Sequence, residues 1–349
     1  MTTGPLTLTC TDAELDTLWP HALSLSLVTG RAFCLVGPEG AEPPKLKAAH
    51  LALGRAAAAL AGVDAPAVAC FPASGEGRAA RACDLRLDVG AAMSTGAVLT
   101  SLQPGLALAG GGRLELLGAT HHPGGPLSQA LARVWPVILG AFGLGCEVHL
   151  ERAGFAPAGQ GVLSAQIHPR RGHGPDTVEL LQRGTLHEVR VTSMVAGPQG
   201  ARALAQSRGA ESTLREAGVS PELETLSLPS AHPRGGAVLI VAQFEHTLAT
   251  FSAVAGTQEA PEETGQRAAR AFETFLAGPG SVDGQTAQQL MLWGALLAAG
   301  HLGPSNPART RFQAPGVDAS LLGLARVLRA FLPISVTTGP DGSCTVQPF

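Results

Sequence analysis

Apolar and polar residues follow one another along this chain with a helical period in some segments and with strict alternation in others. The clearest helical segment lies near the C-terminus and begins behind Asp318, a residue type that favours the N-cap. Pro333 ends this helix, and the alternation from Ile334 to Thr337 predicts a strand behind it. The apolar stripe of the predicted helix consists of Leu321, Leu324, Ala325, Leu328 and Leu332.

The same patterns predict alternating helices and strands along the rest of the chain. Helices are predicted over 15–29, 46–60, 93–108, 127–142, 201–217, 262–276 and 286–297. Strands are predicted over 6–9, 32–36, 68–71, 82–89, 114–117, 146–151, 162–167, 185–196, 238–249 and 311–313. The glycines and proline of 339–342 predict a hairpin at the end of the chain.

The order of these elements indicates a layered α/β (α+β) architecture with repeated units. A strand–helix–strand–helix–strand–strand order occurs twice before a polar, Gly/Pro-rich loop at 168–175, and the last elements resume it. We therefore predict three βαβαββ-type repeat units. The main domain is assigned to 1–177 and 278–349, and a smaller inserted α/β domain to 178–277.

Composition and charge limit the partners that the chain attracts. The 349 residues are 45% hydrophobic and 15% charged with a net charge of -3, so no overall basic field draws the protein to nucleic acid. Tyrosine is absent and aromatic residues are only 4%, which leaves few platforms for stacked bases. No DNA-binding signature, signal peptide or membrane span is predicted, and we expect a cytoplasmic protein.

The cysteines do not form a recognisable framework. The six are scattered without a C-x-x-C pair, and several lie in apolar runs. Buried free thiols are the expectation, and neither a zinc site nor a disulfide framework is predicted.

Five segments carry short motifs that occur in order along nearly the whole chain. They read H-A-L-S-L-S-L-V-T-G at 21–30, L-K-A-A-H-L at 46–51, G-A-A-M-S-T at 90–95, G-A-T-H-H-P-G-G-P at 118–126 and R-A-G-F-A-P-A-G-Q-G at 152–161. Together with the helix closed by Phe331, Leu332 and Pro333, this set resembles the RNA 3'-terminal phosphate cyclase family. The last of the five is the strongest local match.

The resemblance implies both a fold and a chemistry. The family fold has three βαβαββ-type repeats and an inserted thioredoxin-like domain, which agrees with the predicted element order. The family reaction is ATP-dependent: a histidine attacks the α-phosphate of ATP, AMP passes to the RNA 3'-phosphate, and the 2'-hydroxyl displaces it to leave a 2',3'-cyclic phosphate. The implied cofactors are ATP and Mg²⁺, and the implied partner is an RNA 3' end.

At several positions the chain departs from the family pattern. Ser320 stands at the place of the nucleophilic histidine, and a serine needs a neighbouring base to attack. The glycine loop with its glutamine and arginine is replaced by 12–20, and the paired arginines are lost at 38–45. An Asp-Gln pair becomes Gln288-Gln289, and Ala130 stands where an adenine-packing phenylalanine is expected.

These losses predict a cyclase-like pseudoenzyme that has given up cyclisation and acts as a binding or scaffold protein in RNA processing or repair. It binds RNA 3' ends or an RNA-processing protein. The alternative is an active cyclase with a substitute nucleophile, for which His301 is a weak candidate. A third hypothesis is that the protein is a ligand-binding or protein-interaction module that does not bind RNA.

Seven residues are candidate nucleotide- or phosphate-binding positions, and no metal site is predicted. Several of them have an alternative, purely structural interpretation. Residues 94–95 could cap a helix, 159–161 could form a tight turn, and His50 could be a half-buried polar side chain. The adjacent pair His121-His122 could bind a metal or phosphate, but a turn is favoured. The basic loop at 168–173 could contact RNA phosphates, but a solvated joint between domains is favoured. The candidates are His50, Ser94, Thr95, Pro126, Gly159, Gly161 and Gln289.

Overall fold

The computed structural model describes residues 4–39, 41–72, 76–170, 172, 175–303 and 308–349. Helices and strands alternate through these residues as the periodicity predicts. The helices are α1 (Leu15–Thr29), α2 (Ala48–Ala61), α3 (Thr95–Ala109), α4 (Ser128–Arg133), α5 (Trp135–Gly140), α6 (Gly200–Glu216), α7 (Pro261–Ala277), α8 (Gly284–Ala298) and α9 (Ala319–Phe331). The strands are β1 (Leu6–Thr9), β2 (Phe33–Val36), β3 (Cys70–Phe71), β4 (Leu85–Ser94), β5 (Gly112–Ala119), β6 (Cys146–Arg152), β7 (Gly161–Ile167), β8 (Thr177–Leu180), β9 (Leu186–Ala196), β10 (Glu222–Leu228), β11 (Gly236–Phe244), β12 (Leu248–Val254), β13 (Arg309–Gln313), β14 (Ile334–Thr338) and β15 (Ser343–Pro348).

Two four-stranded sheets share one topology. In the order β4-β5-β7-β6 the first pair is parallel and the other pairs are antiparallel. The order β8-β13-β15-β14 repeats this pattern. A third sheet, β1-β2-β3, has the parallel pair and one antiparallel neighbour. The mixed α/β class predicted from the element order is confirmed.

The sheet β10-β9-β11-β12 lies between β8 and α8 in the chain and is covered on both faces. Because side chains alternate across a strand, Val238 and Ile240 join one core with the α7 residue Phe272. Leu239, from the opposite face of β11, packs in another core with Phe155 of the β6–β7 connection. The fully buried strands therefore read as nearly continuous apolar runs.

The largest core surrounds helices α1, α8 and α9. Trp19 and Trp293 are wholly buried there, and α1 packs against both α3 and α9. The predicted stripe of α9, from Leu321 to Leu332, is buried throughout, and the side chain of Asp318 caps the helix. The sequence prediction for this helix is confirmed.

Two predicted elements differ from the structure, and two strands were not predicted. The helix predicted over 127–142 is two short helices, α4 and α5, because Pro136 has no N–H to continue the hydrogen-bond ladder. The strand predicted over 238–249 is a hairpin, since β11 ends at Phe244 and Thr247 leads into β12. Strands β8 and β10 were not predicted, because their charged and polar residues interrupt the apolar alternation.

The expectation of free thiols is wrong for two cysteines. Cys34 of β2 and Cys70 of β3 lie opposite one another and form a disulfide. Cys10, Cys83, Cys146 and Cys344 are free. Within the basic loop, Arg171 and His173 lie outside the described residues.

Candidate functional site

The N-terminal turns of four helices line one cavity of about 280 Å³. The loop at 123–126 and the side chain of Trp135 complete its wall. Residues of α1, α3, α8 and α9 contribute Asp16, Thr17, Pro20, His21, Ala97, Thr100, Ser101, Gln285, Gln288, Gln289 and Ser320.

Helix α9 brings Ser320 to the cavity. The carboxylate of Asp318 accepts a hydrogen bond from the backbone N–H of Leu321 at 2.8 Å, which fixes the start of the helix. Ser320 is therefore the second residue of the helix and not its cap. Its side chain is half-buried and lines the cavity.

At the start of α1, Asp16 forms a hydrogen-bonded network with α2. The backbone N–H of Lys47 donates to Nδ1 of His50 at 3.1 Å, so the proton of the neutral ring lies on Nε2. Nε2 is 2.8 Å from Oδ1 of Asp16 and donates to it, and Nζ of Lys47 donates to both carboxylate oxygens. This network fixes the carboxylate at the cavity wall.

The charges in this network have definite signs near neutral pH. Burial opposes ionisation of Asp16, but Lys47 and His50 outweigh it and lower the pKa of the carboxyl group. Burial likewise lowers the pKa of His50, and Asp16 only partly offsets this effect. A negative Asp16 and a neutral His50 follow from these shifts.

His21, one turn further along α1, places an imidazole at the cavity. Burial lowers its pKa to about 4, so this ring is neutral near pH 7. A neutral imidazole offers one nitrogen lone pair as acceptor or nucleophile and one N–H as donor.

Helix α8 supplies three amide side chains. Its cap is the buried Asp283, whose Oδ1 accepts from the backbone N–H groups of Gln285 and Thr286 at 2.9 and 3.0 Å. The Oε1 atom of Gln289 is buried and has no hydrogen-bond partner within the described part of the chain. Gln289 thus presents an unsatisfied acceptor at the wall of the cavity.

The loop at 123–126 closes over the start of α3. A Cβ atom on Gly125 would lie 2.6 Å from the Ser94 hydroxyl, so this close approach requires glycine. Ser94 is buried beneath the loop, and its Oγ accepts from the backbone N–H of Ala97 at 3.3 Å. Thr95 is also buried, and its hydroxyl donates to the carbonyl of Ala119.

The cavity holds little positive charge. Helix N-termini attract anions, but here Ser94, Asp283 and Asp318 cap three of the four, and the first turn of α1 carries Asp16. No arginine or lysine among the described residues lines the cavity, and the nearby ammonium of Lys47 is bound to Asp16.

The family model for the RNA 3'-terminal phosphate cyclase matches residues 18–338, nearly the whole chain. The chain belongs to this family. Cyclases of this family are ATP-dependent and act on RNA 3' ends. Ser320, which the resemblance predicts to stand at the place of the nucleophilic histidine, lines the cavity.

The predicted site residues fall into three groups around the cyclase fold. Ser320, Pro126 and Gln289 line the cavity, and His50 reaches it through Asp16. Ser94 and Thr95 lie beneath its wall, as described above.

The remaining candidates lie elsewhere. Gly161 lines a separate depression of about 290 Å³, and Gly159 packs against Ala91 beside it. His301 follows the C-terminal end of α8, whereas the cavity lies at the N-terminal end; the helix spans about 20 Å between them.

Asp16, Thr17 and His21 line the cavity but were not predicted as site residues. All three lie in or beside the segment that replaces the glycine loop of the family, so the position of the loss was the signal available. The contact between Asp16 and His50 spans 34 residues and is not readable from either motif alone.

The adjacent histidines of the β5–α4 loop diverge, as expected for neighbours on a turn. His121 is fully buried, stacks on Phe155 at 4.4 Å and contacts Oε1 of Gln129 at 3.0 Å. His122 accepts a hydrogen bond from the backbone N–H of Gly124. The described residues contain no group of three or more His, Cys, Asp or Glu arranged to hold a metal ion, and no helix among them is long and apolar enough to cross a membrane.

Proposed function

We propose that this cyclase-family protein has lost ATP-dependent RNA 3'-phosphate cyclisation and binds RNA 3' ends as a binding or scaffold protein of cytoplasmic RNA processing. The observation that supports the proposal is that Ser320, which the resemblance puts at the nucleophile position, lines a cavity without a lining arginine or lysine among the described residues. The fold is retained while the chemistry of the cavity differs from what the family reaction requires.

The first argument concerns the nucleophile. A serine hydroxyl is a weak nucleophile near pH 7 unless a neighbouring base removes its proton. It also lacks the neutral lone pair with which an imidazole attacks phosphorus and forms a labile phosphoramidate. Replacement of histidine by Ser320 therefore removes the group on which the family's first step depends.

The second argument concerns ATP. A triphosphate needs guanidinium, ammonium or metal partners, and Mg²⁺ is held through carboxylates together with the phosphates. The cavity offers one carboxylate, Asp16, which is already bound to Lys47 and His50. At each of the three capped helix starts, the cap already occupies one or two of the free N–H donors. These residues do not suit ATP–Mg²⁺.

A second function is favoured by His21. Its neutral imidazole lines the same cavity as Ser320, whereas His301 lies at the other end of α8. An active cyclase with a substitute nucleophile would therefore use His21.

An adenylation experiment separates these two functions. Purified protein is incubated with α-labelled ATP and Mg²⁺, and covalent AMP is measured on a denaturing gel for the wild type, His21→Ala and His301→Ala. We expect no adduct in any of the three. An adduct that disappears in His21→Ala and persists in His301→Ala establishes the active cyclase and overturns the loss of catalysis.

RNA binding is tested separately by titrating a short labelled RNA at two salt concentrations. We expect saturable binding that weakens with salt, because phosphate contacts release counterions. The absence of binding to any RNA end overturns the proposed RNA-binding role and leaves a protein-interaction module.

A further inference from the structure

We propose that the cavity receives an RNA 3' end with free 2'- and 3'-hydroxyls and discriminates against a 3'-phosphate. This inference rests on the proposed RNA-binding function and names the chemical form of the end that the protein selects. It rests on the charge of the cavity, on its hydrogen-bond donors and acceptors and on the apolar surface of its wall.

Charge disfavours a terminal phosphate. A phosphate monoester carries about -1.5 to -2 charges near pH 7. It would enter a cavity that contains the Asp16 carboxylate and that no arginine or lysine of the described residues lines. The Asp16 side chain is 66% exposed and is paired with the Lys47 ammonium at 3.1 Å, so solvent and this ion pair both weaken the repulsion and its effect is moderate.

Capping occupies one or two of the N–H donors at each helix start that a phosphate would otherwise use. The Ser94 hydroxyl occupies the N–H of Ala97, and the carboxyl groups of Asp283 and Asp318 occupy those of Gln285 and Leu321. A phosphate must displace these side chains to reach the same N–H groups. An uncharged hydroxyl has no such requirement.

The cavity wall contains hydrogen-bond acceptors that a ligand with a hydroxyl donor can satisfy. Oε1 of Gln289 is buried without a hydrogen-bond partner, which leaves its desolvation uncompensated. Once the amide turns towards the cavity, a ribose hydroxyl can donate to this atom; a 2',3'-diol has two such hydroxyls, whereas a 3'-phosphate end keeps only the 2'-hydroxyl and its phosphate dianion has no proton to donate. Oδ2 of Asp16 accepts from Lys47 alone and keeps a second lone pair, so Asp16 of α1 and Gln289 of α8 offer the cavity one acceptor each.

The remaining wall suits the terminal nucleoside. Trp135 lines the cavity, and its Nε1 donates to Oε1 of Gln103 at 2.7 Å, which fixes the ring. Pro123 and Pro126 add apolar surface on the neighbouring loop. A base and sugar therefore find apolar surface beside the polar acceptors.

The test compares RNA oligonucleotides of one sequence that differ only at the 3' end. The ends are a 2',3'-diol, a 3'-phosphate and a 2',3'-dideoxynucleotide, and dissociation constants are measured by fluorescence anisotropy with a 5' label at fixed salt. The proteins are the wild type, Asp16→Asn, Gln289→Met and Glu222→Gln. Asparagine retains an acceptor for His50 without the charge, and Glu222→Gln removes a carboxylate that lies outside the cavity.

We expect the wild type to bind the diol end about tenfold more tightly than the phosphate end, which corresponds to about 1.4 kcal/mol. Asp16→Asn should narrow this ratio to about threefold, because it removes the repulsion and releases Lys47. Gln289→Met should weaken diol binding severalfold and bring it towards that of the dideoxy end. Glu222→Gln should leave the ratio unchanged.

Each contrary outcome has its own meaning. Equal binding of the diol and phosphate ends, or tighter binding of the phosphate, overturns the inference while the RNA-binding function stands. A diol preference that persists in both Asp16→Asn and Gln289→Met also overturns it, because the preference then arises outside the cavity. Failure of the wild type to bind any of the three RNAs overturns the RNA-binding function and the inference together.

Discussion

Local signals place Ser320 at the start of its helix, and tertiary packing places it in the cavity. Its place on α9 follows from local signals, namely the Asp318 cap and the apolar stripe behind it. Its place in the cavity follows from the packing of α9 against α1 and α8. The sequence predicted the residue and its helix, and the structure supplies its neighbours.

Restoring the histidine alone should not restore adenylation. Ser320→His places an imidazole at the family position, but it adds no cation to hold a triphosphate beside Asp16. We expect labelled ATP to give no AMP adduct with this variant at pH 7. Adduct formation by Ser320→His would show that the cavity still binds ATP and that only the nucleophile was lost.

Burial of histidines should make the fold sensitive to acid. Burial lowers the pKa of His121 to about 4, although its contact with Gln129 opposes the shift, while an unfolded histidine titrates near 6.5. Between these two values the unfolded chain binds more protons, so stability is retained above about pH 6.5 and falls as the pH drops towards 4. The contribution reaches about 3 kcal/mol per residue at the acid end.

His121→Gln tests this dependence. We expect the melting temperature of the wild type to fall more steeply between pH 7 and pH 4.5 than that of the variant, which has lost one titrating group. The exposed His187→Gln is the control and should follow the wild type. Parallel curves for His121→Gln and the wild type would contradict the expected role of His121.

Asp16 and His21 show what residue-level reading of the sequence does not reach. Neither belongs to a motif with its own chemistry, and both acquire a role only because α1 begins at the cavity. A pairing such as that of Asp16 with His50 depends on tertiary packing between α1 and α2. Local pattern does not encode such a contact.

At the scale of elements, the sequence predicted a helix correctly where its capping residue, its apolar stripe and its terminating proline indicated the same boundaries. Helix α9 is the example, since Asp318, the leucines and Pro333 all indicate the same boundaries. The prediction of one helix over 127–142 was wrong because it followed the apolar spacing and not the proline at 136. In the structure the helix breaks at Val134. Strand β10 was missed because it lies at the edge of its sheet with no fully buried residue, and charged and polar residues interrupt its apolar alternation.

The start of α8 should be a point of high sensitivity. Buried Asp283 accepts hydrogen bonds from the backbone N–H groups of Gln285, Thr286 and Thr250 and from the Thr286 hydroxyl. Asp283→Ala leaves these donors without a partner and should cost about 2–4 kcal/mol of stability.

Thermal melting with a second cap variant gives the comparison. Asp318→Ala removes one hydrogen bond at an exposed helix start and should cost about 1 kcal/mol. We therefore expect a clearly larger decrease in melting temperature for Asp283→Ala. Equal decreases would mean that burial of the α8 cap adds nothing to its stabilising effect.

At the scale of the whole molecule, the element order was enough to predict repeats. The sheets β4-β5-β7-β6 and β8-β13-β15-β14 have the same pattern of parallel and antiparallel pairs. The period of apolar residues sets the type of element, and short connections limit the topology. The division into domains at 178 and 277 remains a prediction.

The core around Phe155 should couple the predicted domains. Phe155 is 3% exposed and packs with Leu127 from the first part of the chain and with Met194 and Leu239 from the predicted insertion. Gly235 lies so close that a Cβ atom on it would be 2.3 Å from the Phe155 ring. Phe155→Ala removes the centre of this contact and should cost about 3–5 kcal/mol.

Calorimetry distinguishes coupling from a simple loss of stability. We expect one unfolding transition for the wild type and two for Phe155→Ala, because the two cores on either side retain their own apolar contacts. Phe272→Ala is the matched control, since its ring lies wholly within the core of β9, β11 and α7 and away from the shared contact. It should lower the transition temperature of that core without weakening the Phe155 contact. A single transition in Phe155→Ala, lowered as a whole, would mean that the segments on either side of this contact unfold as one unit and that the predicted boundaries do not mark separate domains.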